Sequence, residues 1–233
     1  MARDHRFPPL TADILEILSL MTTTTLNRPI EKPADTHHPI HPYLQHRWSP
    51  RAFDERPVDP ATLRSVLEAA RWAPSANNRQ PWRFIVATKG APEAYARLLG
   101  ILNERNAAWA RQAPVLMLVV AQLYQGPDGQ PSMRSLYDVG LAVGNLTTQA
   151  TAHDLAAHQM GGFDGAKARA DLRIPEGYEP VAAIALGYAG DPTTLPDDLR
   201  ERESAPRARN PLQDIVFEGE WDRPLPQLSD QPR

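Results

Sequence analysis

The chain has 233 residues, and its 25 lysines and arginines are nearly balanced by 28 aspartates and glutamates. This balance argues against nucleic-acid binding, which usually comes with an excess of basic residues. The absence of cysteine excludes disulfides, thiol nucleophiles and cysteine-ligated zinc. No apolar run reaches the roughly 18 residues of a membrane span, and the N-terminus lacks the order of a secretory signal. These features predict a soluble, cytoplasmic protein.

Proline is unevenly distributed along the chain. The 24 prolines are concentrated before Ala61 and after Gly190, at about twice the average share. This predicts a compact middle with extended arms. We expect a flexible N-terminal extension over residues 1–38, one folded domain over 39–221 and a C-terminal tail over 222–233.

The first predicted element of the domain is a helix that starts at Asp59 and Pro60, an N-cap followed by proline. Apolar residues recur at helical spacing after it until "PSANNRQP" ends the helix. "WRFIVAT" then predicts a strand. "PEAYARLLGILNERNAAWARQ" predicts helix with a break near Asn103, and "PVLMLVVAQ" predicts a strand buried on both faces.

"SLYDVGLAVGNLTTQATAH" predicts a long helix, and the core is completed by "LAAHQM", a helix over "AKARADL" and the strand "PVAAIALGY". Within the long helix, Gly140 and Gly144 lie one turn apart, which is typical of close backbone approach. Helices that alternate with strands predict a sheet covered on both faces.

The stretch "HRWSPRAF" predicts half of an anion site. The proline after Ser49 biases the backbone toward an extended conformation, and on an extended chain every second residue projects to the same side. Arg47, Ser49 and Arg51 then share one face, with Trp48 and Ala52 on the other. Two guanidiniums and a hydroxyl on one side favour an anion.

A second element, "SAPRARNP", places Arg207 and Arg209 two residues apart between prolines. Taken alone, these would be ordinary surface arginines. Together with Arg47 and Arg51 at the other end of a nearly neutral chain, they favour a shared phosphate.

Between the two arginine elements lies "GGF". Gly161 and Gly162 could present backbone N–H groups to a planar ligand or form a simple tight turn, and Asp164 is a candidate cap for the next helix. With side-chain amides at Asn78 and Asn103, these features suit a phosphorylated, hydrogen-bonding flat ring such as flavin mononucleotide, FMN.

Several common site motifs are absent. The sequence contains no G-x-G-x-x-G opening a helix after a strand, no Walker A motif, no H-E-x-x-H and no G-x-S-x-G. His37, His38, His41 and His46 form a cluster that could bind a metal. A solvated, proline-rich linker is the favoured interpretation, so we expect no metal site.

From about Pro39 to Trp221 the chain resembles the FMN-dependent nitroreductase family. The resemblance is carried by "RWSPRAF", "APSANNRQPWRFIVAT", "LNERNAAWA", "DVGLAVGNL", "HQMGGFD" and "APRARNPLQDIVFEGEW". It implies an α+β fold with a central mixed or antiparallel sheet covered by helices on both faces. It also implies an intertwined homodimer with FMN in two sites at the interface.

The resemblance further implies which residues bind the cofactor. The FMN phosphate is assigned to Arg47, Ser49, Arg207 and Arg209, the neighbouring stretch adds Trp48 and Arg51, and the partner subunit adds Pro74, Ser75, Ala76 and Asn78. The ring is assigned to Asn103, Asn106, Gln159, Met160 and the backbone of Gly161 and Gly162. Asn106 stands where some relatives carry lysine.

The activity implied is that of an FMN-dependent oxidoreductase that takes a hydride from NADH or NADPH and passes it through flavin N5 to a flat acceptor. Such acceptors include nitroaromatics and quinones. No catalytic side chain is implied; His158 is a candidate acid or base, but a core or surface histidine beside a strand end is favoured. An FMN-binding protein without efficient turnover is the alternative, and a flavin-dependent dehalogenation or dehydrogenation is a weaker one. No nucleic-acid or membrane partner is expected.

Overall fold

The fold is built around one antiparallel sheet. A computed structural model describes residues 30–125 and 131–228. Residues 1–29 of the expected N-terminal extension and residues 229–233 of the tail lie outside these ranges, so those parts of the prediction are not tested.

The described strands are β1 (Trp82–Thr88), β2 (Val115–Gln122), β3 (Tyr124–Gln125), β4 (Pro131–Ser132), β5 (Leu155–Met160) and β6 (Tyr178–Tyr188). Four of them form the sheet in the order β1-β2-β6-β5, and every neighbouring pair is antiparallel. The short strands β3 and β4 pair with each other in a separate two-stranded sheet.

Seven α-helices surround the sheet in the described part of the chain. They are α1 (Pro42–His46), α2 (Pro60–Arg71), α3 (Pro92–Gly100), α4 (Glu104–Ala110), α5 (Arg134–Ala152), α6 (Gly165–Asp171) and α7 (Asp197–Ser204). Short 3₁₀ turns lie at Ala76–Asn78, Pro192–Thr194, Leu212–Asp214 and Pro226–Leu228.

The central strand β2 is buried over nearly its whole length. Leu116, Leu118 and Val120 belong to one hydrophobic cluster, and the alternate residues Met117 and Val119 belong to the other. This division follows from the two-residue period of a strand. The prediction of a doubly covered sheet is therefore confirmed.

Different helices supply the two clusters. One cluster contains Leu98 of α3 and Trp109 of α4, while the other contains Val66 of α2 and Leu146 of α5. The predicted α2, α3, α4, α5 and α6 are confirmed, as are β1, β2 and β6 to within a few residues. The α+β class with helices on both faces is thus established.

Helix starts follow the predicted capping chemistry. Asp59 accepts hydrogen bonds from the backbone of Ala61 and Thr62, each at 2.9 Å, and Asp164 accepts from the backbone of Lys167 at 2.9 Å. Both caps satisfy N–H groups that a helix start leaves unpaired.

One extended segment, which the sequence pattern did not predict as a strand, pairs with the end of β6. Asp54 N–H donates to Tyr188 C=O at 3.0 Å, and Gly190 N–H donates to Ala52 C=O at 2.9 Å. A Cβ on Gly190 would lie 2.5 Å from the carbonyl carbon of Phe53, so only glycine permits this approach. The pairing anchors the end of the stretch that begins at Arg47.

Among the described residues, no other element makes the close approach predicted at Gly140 and Gly144. Apart from the neighbouring residues and backbone of its own helix, a Cβ built on either glycine would meet no described atom within 4 Å. This face of α5 also presents Tyr137, whose side chain is 71% exposed.

None of the helices over residues 30–125 and 131–228 combines the length and apolar character needed to cross a membrane.

Candidate functional site

The segment from Arg47 to Ala52 has the predicted alternation. Trp48 and Ala52 are buried on one side. On the other side, Arg47 Nη1 donates to Ser49 Oγ at 3.4 Å. Arg47 and Ser49 therefore lie next to each other, as an extended backbone requires.

Three arginines from the two ends of the domain meet at one groove. Arg47, Arg207 and Arg209 line a cavity of about 420 Å³, which we call the arginine groove. Burial, and then the charge of Arg209, lowers the pKa of Arg47 from its ordinary value. Burial lowers the pKa of Arg207 too, followed by the charges of Arg47 and Arg209. The three like charges thus repel one another, and an anion placed among them would relieve that repulsion.

Hydrogen bonds to backbone carbonyls hold Arg207 close to the other two arginines. Its Nη1 donates to Lys32 C=O at 2.7 Å and to Gln45 C=O at 2.8 Å, while Arg209 Nη1 donates to Ala208 C=O at 2.7 Å. These bonds orient the guanidiniums without neutralising them. The groove therefore holds oriented guanidiniums of the kind that suit an anion.

Residues 34–40 form another wall of the arginine groove. Asp35, His37 and His38 line it, and Asp35 brings one carboxylate to the cationic wall. Within the described residues, no group of three or more histidines, cysteines, aspartates or glutamates is placed to hold a metal ion. His37 and His38 therefore belong to the arginine groove's surroundings.

Arg51 does not join the other arginines in lining the groove. Its Nη1 lies 3.6 Å from Oε2 of Glu203, whose side chain is almost fully buried. The backbone N–H groups of Arg51 and Ala52 both donate to Glu203 Oε1, at 2.7 and 3.1 Å. Arg51 is thus paired with a carboxylate inside the protein.

The glycine loop after β5 packs against the two predicted asparagines. Asn103 Oδ1 caps α4 by accepting from Asn106 N–H at 2.9 Å. Asn106 Nδ2 donates to Gly162 C=O at 3.0 Å, and Asn103 N–H donates to the same oxygen at 3.1 Å. A Cβ on Gly162 would lie 2.3 Å from Asn103 Nδ2. The structure therefore brings Asn103, Asn106, Gly161 and Gly162 together.

Gln159 and Met160 project to opposite faces of β5. The side chain of Gln159 is exposed, whereas Met160 is 3% exposed and belongs to the hydrophobic core. Of the two, Gln159 is the one available to a ligand, and Met160 supports the glycine loop from the core side.

The loop after α2 lines a second cavity. Pro74, Ser75 and Ala76 share a cavity of about 390 Å³ with Tyr137 and Asp138 of α5. This cavity and the arginine groove have no lining residue in common. The predicted cofactor-binding residues of one chain therefore fall into separate groups.

A buried carboxylate holds this loop. Asp138 Oδ2 accepts from Ala76 N–H at 3.0 Å and from the hydroxyl of Tyr124 at 3.2 Å. Burial, followed by the hydrogen bond and charge of Asp138, raises the pKa of Tyr124 to about 12.

The same loop contains Asn78, which has a positive φ of 54°. Its N–H donates to Ser75 C=O at 3.0 Å.

His158 lies near the end of β5 and is partly buried, with its ring hydrogen-bonded to the backbone. Its Nδ1 lies 2.8 Å from Pro50 C=O, and its ring centroid lies 4.5 Å from that of Trp109. Burial lowers the pKa of His158 to about 4, against the opposing effect of the bond to Pro50. The imidazole is thus neutral near pH 7, and its Nδ1–H donates to Pro50.

Sequence reasoning missed Lys32, Asp138 and Glu203. Asp138 interrupts the buried apolar side of α5, and this is a signal that could have been read from the helical spacing. Glu203 lies in the strongly charged segment "DDLRERES", where nothing in the pattern separates a buried glutamate from exposed ones. Lys32 gives no signal at all.

Comparison with known proteins identifies the family of the chain. The family model described as the nitroreductase family matches residues 44–188, which is more than half of the chain. The chain therefore belongs to the nitroreductase family. Arg207 and Arg209 lie beyond the matched residues.

Individual relatives extend the comparison over more of the chain. A solved structure described as an oxidoreductase containing FMN is 39% identical, with a TM-score of 0.76, and the match covers 86% of this chain and 99% of that one. A nitroreductase from Desulfovibrio desulfuricans, described in complex with FMN, is 26% identical, with a TM-score of 0.61 and coverage of 80% and 99%. The NADH dehydrogenase of Thermus thermophilus is 28% identical over 202 residues, which are 73% of this chain and 91% of that protein.

The neutral state of His158 makes stability depend on pH. In the unfolded chain this histidine takes up a proton at about pH 6.5, whereas in the folded protein His158 does so only at about pH 4. The unfolded state therefore binds more protons between these values, and stability falls as pH drops through this window. We expect this residue to account for a loss on the order of 3 kcal/mol.

His158→Gln keeps an N–H donor for Pro50 and cannot titrate. Urea unfolding at pH 7, 5.5 and 4 should show a smaller loss of stability in this variant than in the wild type. His37→Gln, at an exposed position, should follow the wild type. Identical pH dependence in the wild type and His158→Gln would contradict the account of the buried neutral ring.

Proposed function

We propose that this chain is an FMN-dependent oxidoreductase that takes electrons from NADH or NADPH and reduces a flat acceptor, such as a nitroaromatic compound or a quinone. The observation that carries the proposal is the convergence of Arg47, Arg207 and Arg209 on one groove. Membership of the nitroreductase family and the FMN named in solved relatives support it.

The residues present fit the phosphate of FMN. Three guanidiniums that repel one another match a dianionic group, since charge-assisted hydrogen bonds to phosphate are among the strongest in proteins. Ser49 adds a hydroxyl beside Arg47. In this proposal, Arg47, Ser49, Arg207 and Arg209 hold the phosphate.

The remaining residues would orient the ring. Asn103, Asn106 and the backbone of Gly161 and Gly162 form one packed group, which we assign to the polar edge of the flavin. The chemistry supplied by bound FMN would be two-electron transfer, in which N5 would take a hydride from NADH or NADPH and pass it on to the acceptor. The neutral, hydrogen-bonded His158 has a structural role in this scheme.

We further propose that the site is completed by a second copy of the chain. The loop Pro74–Asn78 lines a cavity separate from the arginine groove. Beside that cavity, α5 presents the exposed Tyr137 and the open positions Gly140 and Gly144. The C-terminal arm carries Trp221 at 82% exposure. Large exposed apolar side chains of this kind mark interaction surfaces.

The function is tested on the purified protein under anaerobic conditions. We expect a flavin absorption spectrum that bleaches on addition of NADH or NADPH and returns over many turnovers with a quinone or nitroaromatic acceptor. Bleaching without turnover would favour an FMN-binding protein over an enzyme. A colourless protein that takes up no FMN on dialysis would contradict the whole proposal.

The phosphate assignment is tested with Arg47→Ala combined with Arg209→Ala. Each charge-assisted bond contributes roughly 1.5–3 kcal/mol, and every 1.4 kcal/mol or so corresponds to a tenfold change in affinity. The FMN Kd should therefore rise at least about a hundredfold, as measured by quenching of flavin fluorescence. Arg105→Ala, at an exposed position on α4, is the control. An unchanged FMN Kd in the double variant would remove the groove from the phosphate site.

The shared site is tested with Gly144→Leu. The added side chain meets no described atom of its own chain within 4 Å at Cβ, so the fold should persist while the facing copy is displaced. We expect light scattering to give a dimer for the wild type and a monomer lacking FMN for this variant. Gly100→Leu, also at an open helical position, should remain a dimer. A monomer that retains FMN would contradict the shared site.

A further inference from the structure

Glu203 is a buried carboxylate at the join between the two arms of the domain. It lies on α7, four residues before Arg207, and is 1% exposed. Its Oε1 accepts the backbone N–H groups of Arg51 and Ala52 at 2.7 and 3.1 Å. Burying a carboxylate is costly unless such bonds compensate for the lost water, so a glutamate here needs a specific reason.

The second oxygen of Glu203 is less well satisfied. Oε2 lies 3.6 Å from Arg51 Nη1, too far for a hydrogen bond, and it accepts none in the described part of the chain. The charge of Glu203 is thus balanced by Arg51 at a distance and by Lys32, with which it interacts electrostatically, while its geometry is set through Oε1 and the backbone.

The backbone of Glu203 continues the connection. Lys32 Nζ donates to Glu203 C=O at 2.7 Å, which satisfies a carbonyl in the last turn of α7. Lys32 C=O in turn accepts from Arg207 Nη1 at 2.7 Å. A chain of contacts therefore runs from Arg51 through Glu203 and Lys32 to Arg207, on the wall of the arginine groove.

This connection adds to the other restraints on the Arg47–Ala52 segment, in which Pro50 C=O accepts from His158 and Trp48 is buried. The pairing with β6 holds the backbone at Ala52 and Asp54, but an extended segment forms no regular hydrogen bonds within itself. The bonds to Glu203 Oε1 extend this restraint from Ala52 to the backbone N–H of Arg51. The direction in which Arg47 and Ser49 project depends on that backbone, because side chains alternate along it.

We propose that Glu203 is a positioning residue for the phosphate site: it holds the Arg47–Ala52 segment in register with the C-terminal arm that carries Arg207 and Arg209. The inference rests on the proposed FMN function. A glutamate that only stabilised the fold would affect all flavin binding alike. A residue that positions the arginines affects ligands with a phosphate and spares those without one.

Riboflavin, which lacks the phosphate, supplies the comparison. The Kd values for FMN and riboflavin are measured by flavin fluorescence on the full chain of the wild type, Glu203→Ala and Glu203→Gln. We expect the wild type to prefer FMN and Glu203→Ala to reduce that preference at least tenfold with riboflavin affinity little changed. Glu203→Gln should keep the preference within about threefold, because its amide oxygen can still accept from Arg51 and Ala52.

Glu201→Ala is the matched control, since Glu201 is an exposed glutamate on the same helix, and its preference should equal that of the wild type. If Glu203→Ala does not fold, Glu203→Asp replaces it, because its shorter side chain withdraws the carboxylate from the two N–H groups and should also reduce the preference. An unchanged preference, or an equal loss of both flavins, overturns the inference alone. A wild type that binds neither flavin overturns the proposed function as well.

Discussion

Burial of β2 on both faces is the constraint on which the rest of the structure depends. A strand such as Val115–Gln122 can be removed from water only if two separate apolar layers cover it. Helices α2 and α5 supply one layer, and α3 and α4 supply the other. The connections between these layers must then pass the ends of the sheet, and many of the candidate site residues lie on these connections, among them Arg47, Ser75 and Gly162.

The candidate site depends on like charges being held together. Besides burial, the charge of Arg209 lowers the pKa of Arg47, and the charges of Arg47 and Arg209 lower the pKa of Arg207, so the three guanidiniums are held together against repulsion. Backbone carbonyls and extended segments anchored to the sheet keep them in place. In the proposed function, binding of the FMN phosphate would offset the free-energy cost of this arrangement, as in other preorganised sites.

Two buried carboxylates have parallel roles in different halves of the candidate site. Asp138 accepts from the backbone of Ala76, and Glu203 accepts from the backbone of Arg51 and Ala52. In each case an α-helix provides one acidic side chain that accepts from the backbone of a segment outside the α-helices and the main strands. Loops that carry binding residues need such restraints, because a ligand can be selected only by groups whose positions are defined.

The sequence by itself determined the elements whose signals are local. Caps at Asp59 and Asp164, the alternation from Arg47 to Ala52 and the apolar run of β2 follow from spacing and backbone preference, and family resemblance added the α+β fold. Only the tertiary structure decided that Arg51 turns from the groove to Glu203, that Met160 lies in the core, and that a Cβ on Gly140 or Gly144 would meet no described atom nearby outside the backbone of its own helix. These outcomes depend on contacts between residues far apart in sequence, such as the 152 positions between Arg51 and Glu203, and no local pattern encodes such contacts.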